Sequence, residues 1–266
     1  MRLIKIPIVI LIIFILFSII TPVLLLEGIE NILPDDIREN TSDLRKNFTH
    51  LLIDISSIFG RYDTCVSLYD HLIIRSPFNA EYYGKKALNL HKLGKLEETL
   101  ASLDEALEYD PENLDYLLRK ARLSKALYRN DESDLTYKKI NLITPQTAVE
   151  FALSGDAALD QSKYTQALDM YTNSLEQDST DPLVWEKRGD VIFALLTIPT
   201  AGLPADKNLK NQDLYTEGIR SYESAIRLNP ERSWEIKLKM NKRSDVFIPQ
   251  SIAELESRYT HYRYLG

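Results

Sequence analysis

The chain has 266 residues, 44% of them hydrophobic and 27% charged, with a formal net charge of −7. That length suits one large or two small domains with a core, and the acidic balance disfavours a nucleic-acid reader, which needs a basic surface. The single cysteine, Cys65, excludes an internal disulfide and a cysteine-rich metal site, while few glycines and no alternating runs point to an all-α chain.

A short basic tail, 1–5, precedes IPIVILIIFILFSIITPVLLL (6–26), which carries no charge. As a helix this stretch would span roughly 30 Å, the thickness of a bilayer core. A cleaved signal peptide has a shorter apolar region and a small-x-small cut site. This one is longer and runs into EGIENILPDD, so an uncleaved transmembrane signal-anchor helix is expected. Arg2 and Lys5 precede it, and Glu27, Glu30, Asp35 and Asp36 follow it. The positive-inside rule then puts the rest of the chain on the extracytoplasmic side. Residues 27–45 read as a polar stalk, and triplets at Asn40 and Asn47 are acceptors in a glycosylating host.

Beyond the stalk the sequence repeats. Pro77, Pro111 and Pro145 are spaced by 34, as are Gly60 and Gly94. Tyr69, Leu103, Tyr137 and Tyr171 continue one ladder at that period. Thr49, Tyr83, Leu117, Phe151 and Trp185 form a second, mostly large, and Ile53, Ala87, Ala121, Gly155 and Gly189 a third, mostly small. Such a period predicts pairs of antiparallel helices that bury their faces only by stacking on neighbouring pairs. Small residues let helices approach, large ones fill the remaining space, and each proline ends a second helix.

The pattern resembles the tetratricopeptide repeat (TPR). The unit 80–113 shows it best, with Tyr83, Ala87, Leu90, Gly94, Leu96, Thr99, Leu103, Ala106 and Pro111. Units 46–79, 114–147 and 148–181 follow with departures: a weak first helix in the first, and Tyr128 in place of the turn glycine in the third. The fifth, 182–230, matches at Tyr215, Gly218, Tyr222, Ala225 and Pro230 but overruns the period by 17 residues, an insertion at 197–213. Two readings of that insertion stay open, a tolerated surface loop and a binding loop. Residues 231–266 form a C-terminal helical cap or a degenerate sixth repeat. Trp234 is its expected contact to the fifth unit, and a capping box at Ser251 and Glu254 opens a final helix, 251–264. The resemblance implies a right-handed superhelical solenoid.

No catalytic or cofactor motif is present, and His50, His71, His91 and His261 lack metal-ligand spacing. Cys65 falls where the repeat wants a small packing residue, so a buried, inert thiol is expected. The expectation is therefore a non-catalytic, membrane-anchored interaction scaffold without cofactor or metal. In proteins of the family it resembles, first helices line a concave groove that holds peptides or partner helices. The corresponding positions here carry Lys85, Arg119, Arg122 and Lys125, then Asp156, Asp160 and Asp190. The basic group suits an acidic peptide or a carboxylate end. The family's peptide clamp, a Lys and an Asn one turn apart, is not carried over, since Gly84 and Leu88 stand there. All 39 acids but only 30 of the 32 bases follow residue 26, which argues against nucleic acid as the partner. Two other readings stay open: a cytoplasm-facing assembly factor for a membrane complex, and an enzyme with its site on the insertion or cap.

Overall fold

The computed structural model describes residues 42–197 and 207–244. The apolar stretch 6–26, most of the stalk, the middle of the insertion and the helix expected at 251–264 lie outside them. Among the described residues no helix is long and apolar enough to cross a membrane, and there is no strand.

The helices come in pairs. In chain order they are α1 (Ser42–Ile58), α2 (Tyr62–Arg75), α3 (Ala80–Lys92), α4 (Leu96–Tyr109), α5 (Leu114–Ala126) and α6 (Asn130–Leu142). Then follow α7 (Ala148–Asp160), α8 (Tyr164–Gln177), α9 (Pro182–Thr197), α10 (Lys207–Leu228), a 3-10 turn at Pro230–Arg232, and α11 (Ser233–Ser244). The chain divides into two compact units, one ending at Lys139 and the other beginning at Ile140.

Punctuation by single residues explains the pairing. Within each of the first four pairs the turn residue is left-handed: Gly60 at φ 67°, Gly94 at 74°, Tyr128 at 60° and Ser162 at 59°. Glycine adopts that backbone without strain, whereas tyrosine and serine do not. The first helices from the second pair on start at caps with the same 34-residue spacing. Asn79 accepts from the Glu81 amide, and Asn113 from those of Asp115 and Tyr116. Thr147 and Glu150 form a reciprocal capping box, and Asp181 accepts from the Leu183 amide. Each cap satisfies amides that the helix leaves unpaired.

In the first unit, Leu52, Cys65, Leu68, Leu72 and Tyr82 form one core cluster. Ala87, Leu100, Leu103 and Leu123 form the next. Cys65 is a fully buried filler whose Sγ donates to the Ile53 carbonyl at 3.6 Å, and burial pushes its thiol pKa up. Two ion pairs repeat across successive pairs of helices, Lys86 to Asp70 at 2.8 Å and Lys120 to Asp104 at 2.5 Å. Both lysines stand one place before the small residue of their helix.

In the second unit, Ala158, Ala167, Tyr171, Leu175, Val184 and Val191 pack together. Phe193, Ile219, Tyr222, Ala225 and Ile236 pack on the far side of α9. A β-carbon on Gly155 would meet the Tyr171 ring at 2.7 Å, and one on Gly189 the Tyr222 ring at 2.9 Å, so these positions require glycine.

Two boundaries and one contact differ from the sequence reading. Helix α1 starts at Ser42, inside the expected stalk, so the Asn47 triplet is helical and its Thr49 is buried. Helix α10 starts at Lys207, so part of the insertion 197–213 lengthens the second helix of the fifth pair. Trp234 is not the contact to the fifth repeat: it is 71% exposed, and Ile236, two residues on, makes that contact.

Candidate partner-binding face

The first helices of the first unit, α1, α3 and α5, lie side by side. Gly84 of α3 abuts the ring of Tyr116 on α5, which closes one of the two clamp positions of the resembled family. On α5, Arg119, Arg122 and Lys125 follow at intervals of three, within one side of the helix, and all are exposed. Lys85 stands 34 residues before Arg119, at the same register on α3.

These cations differ in their engagement. Lys85 pairs with Glu81 one turn earlier at 2.6 Å, and its hydrogen bond holds the Glu81 carboxyl below the usual range. Arg119 pairs with Asp115 at 2.8 Å, again one turn earlier. Both pairs are exposed and local, so they contribute little to stability and are easily exchanged for a ligand's carboxylate. At the edge of this face His50 of α1 lies against Tyr82, with ring centroids 5.9 Å apart. Burial and the neighbouring Lys85 and Lys46 lower the His50 pKa, against the carboxylates of Asp54 and Glu81.

The second unit treats its charges differently. Asp156 of α7 is 7% exposed. It accepts from the Tyr171 hydroxyl at 2.6 Å and from Lys187 Nζ at 2.7 Å. Asp190 of α9 accepts from the Tyr222 hydroxyl at 2.7 Å and from Lys239 of α11 at 3.0 Å. Glu186, 3% exposed, binds Arg232 and Lys239. Buried carboxylates need such partners to stay charged. The structure therefore places Asp156 and Asp190 in a network that ties α7, α9 and α11 together, so their charge is spent inside the fold. Sequence reasoning assigned both to the face, but the tyrosine partners come from second helices, and their identity depends on the fold.

A further concavity of about 690 Å³ lies among α8, α9 and α10, lined by Leu175, Trp185, Arg188, Glu217, Arg220 and Arg227 among others. Sequence reasoning missed it. Arg188 is already engaged there by Thr172, Ser221 and Glu217. Among the described residues no group of three or more His, Cys, Asp or Glu is placed to hold a metal ion.

The sequence matches no protein-family model and no curated protein. Solved structures do match in fold. TTC0263, a thermophilic TPR protein in Thermus thermophilus, superposes with a TM-score of 0.51 at 15% identity, over 72% of this chain and 95% of its own. A monomeric mutant of IFIT1 solved with Gppp-AAAA gives a TM-score of 0.51 at 12% identity, over 79% of this chain and 56% of its own. YrrB, described as a TPR protein with an unusual peptide-binding site, gives 0.42 at 15% identity, over 71% of this chain and 97% of its own. The consecutive helix-turn-helix repeats described above are thus TPR-like in fold.

Proposed function

We propose that this protein is a membrane-anchored, non-catalytic scaffold that binds a partner protein or peptide on the first-helix face of its repeats. The observation that carries this reading is the exposed cation row of α3 and α5. Lys85 and Arg119 stand in repeat register, and Arg122 and Lys125 continue the row along α5, on a chain whose overall charge is negative. Such a row suits an acidic segment, recognised by charge-assisted hydrogen bonds. Repeat folds supply rigid surface, and their ligands are chosen by a few side chains upon it. The peptide-binding site named for YrrB is a property of that protein; here the reading stands on the residues of α3 and α5.

The anchor belongs to the same reading. The uncharged stretch 6–26 supports a tether, and the basic residues before it with acids after it support an extracytoplasmic repeat domain. Tethering raises the effective concentration of membrane-bound partners.

The test is crosslinking and pull-down from intact cells with the full chain and with its Arg119→Glu, Arg122→Glu, Lys125→Glu variant. A partner recovered by the first and lost by the second supports the reading. Identical recovery from both rejects the cation row as the binding face. Modification at Asn40, or protease access in intact cells, tests the orientation.

A further inference from the structure

The described residues cover helix α11 on one side only. Ile236 is 1% exposed and, with Met240 beside it, packs into the core formed by Phe193, Ile219, Tyr222 and Ala225. Trp234 and Leu238 lie about 160° and 200° round the helix from Ile236, at 100° per residue. They are 71% and 49% exposed. The bare face is thus the one opposite the packed face, and it carries one of the chain's two tryptophans.

The preceding first helix shows what such a face is for. In α9, Val184 packs against Tyr171 and Leu175 of the pair before it. Phe193, nine residues later and about 180° round the helix, packs against Tyr222 of its own second helix. A first helix is sandwiched between the previous pair and its own partner. Helix α3 follows the same rule, with Tyr82 in the cluster of α1 and α2 and Ala87 in the cluster of α4. Among the described residues, helix α11 has its previous pair and lacks its partner.

The chain continues after α11 for 22 residues, to 266. Within them SIAELESRYTHYRY (251–264) opens with a capping box and carries Ile252, Leu255, Tyr259 and Tyr262 at spacings of three, four and three. That spacing would form a single apolar stripe if the segment were helical. The six residues before it include Pro249, which separates it from α11.

We propose that residues 251–264 dock on the Trp234–Leu238 face as the second helix of a sixth repeat. The stripe of Ile252, Leu255, Tyr259 and Tyr262 covers the bare side of α11, as Tyr222 and its neighbours cover α9. The occupant is this chain's own segment because it is joined to α11 by a short connection. That gives it an effective concentration which a second copy or a separate partner does not have.

The test uses the full chain and two independent readouts. In a Trp185→Phe background Trp234 is the sole tryptophan, and its emission and acrylamide quenching report its cover. In a separate Leu238→Cys chain the new thiol is probed with a maleimide, Cys65 being fully buried. Each is compared with and without Leu255→Glu and Tyr259→Glu. The expected result is a blue-shifted, shielded Trp234 and a slowly reacting new thiol, both several-fold more accessible once the stripe is charged. Two results would overturn the proposal: full accessibility before the stripe is charged, or cover that survives charging it. Cover that grows with protein concentration would assign the face to a second copy and overturn it equally.

Discussion

The hydroxyl of Tyr171 donates to Oδ1 of Asp156 at 2.6 Å, and one repeat later Tyr222 donates to Asp190 at 2.7 Å. Each ring also covers the glycine one place before its carboxylate, Gly155 and Gly189. The tyrosine is therefore fixed at both ends, by close packing on the ring and by a hydrogen bond at its tip. Tyr171→Phe keeps the packing and leaves a buried carboxylate one donor short, at an expected cost of about 1–3 kcal/mol. Gly155→Ala keeps the bond and pushes a methyl into the ring, at about the same cost, 1–3 kcal/mol. Urea unfolding of both variants checks this. A Tyr171→Phe chain as stable as the parent would show that Asp156 is satisfied without the tyrosine hydroxyl.

Two of the four left-handed turns are held by the wrong residue type. Tyr128 and Ser162 occupy the backbone that Gly60 and Gly94 adopt freely. The left-handed region costs an ordinary residue about 1–2 kcal/mol, and glycine gives back part of that through its freer unfolded chain. Tyr128→Gly and Ser162→Gly are each expected to stabilise by about 0.5–1 kcal/mol. Gly94→Ala is expected to destabilise by about 1 kcal/mol, although nothing lies within reach of its new methyl. Opposite signs in thermal unfolding distinguish backbone strain from packing.

The repeat period made most of the described helix pairs legible, because close packing fixes residue size at recurring positions. The small ladder through Ala87, Ala121 and Gly155 and the late prolines marked which helices touch and where they end. A further ladder went unused: Asn79, Asn113, Thr147 and Asp181 are spaced by 34 and all cap first helices. Their residue types alone would have located the helix starts. The start of α10 at Lys207 was less legible, since its first two turns carry a single apolar residue, Leu209, and so lack an apolar stripe. Of the site, the cations of α3 and α5 were legible as a face because helical spacing decides exposure. The engagement of Asp156, Asp190 and Glu186 was not, because Tyr171, Tyr222, Lys187, Arg232 and Lys239 reach them from other helices. Trp234 was misplaced for the reason that size suggests burial, while its angular position on α11 turns it outward.

His50 reports on the cation row. Burial and the charges of Lys85 and Lys46 lower its pKa, while Asp54 and Glu81 oppose them. A lowered folded value means that protonation disfavours the folded state, so this group costs stability as pH falls through the ordinary histidine range, near 6.5. An NMR titration of His50 should show a midpoint below that value. Lys85→Gln should move it up and Glu81→Gln down, burial supplying the remainder. An acidic peptide bound beside Lys85 should raise it as Lys85→Gln does. No movement on adding such a peptide would place the ligand elsewhere on the surface.

Lys239 joins α11 to the repeats through Glu186 at 2.5 Å and Asp190 at 3.0 Å. Burial alone would pull its pKa down; hydrogen bonds from its ammonium to the two carboxylates, and their charges, reverse this and hold it above the ordinary lysine value. With the folded value raised, the ammonium's contribution is complete below the unfolded lysine pKa of about 10.4 and is lost as pH rises through the folded one. Lys239→Met is therefore expected to cost about 1–2 kcal/mol near neutrality. That is less than the cost of breaking a fully buried pair, because the side chain is 37% exposed and Arg232 still serves Glu186. The gap between parent and variant should stay level to about pH 10 and close above it. Urea unfolding of both chains across that range measures the gap directly. A gap that persisted into strong alkali would assign the loss to something other than the ammonium, and would remove the charge from the joint between α11 and the fifth repeat.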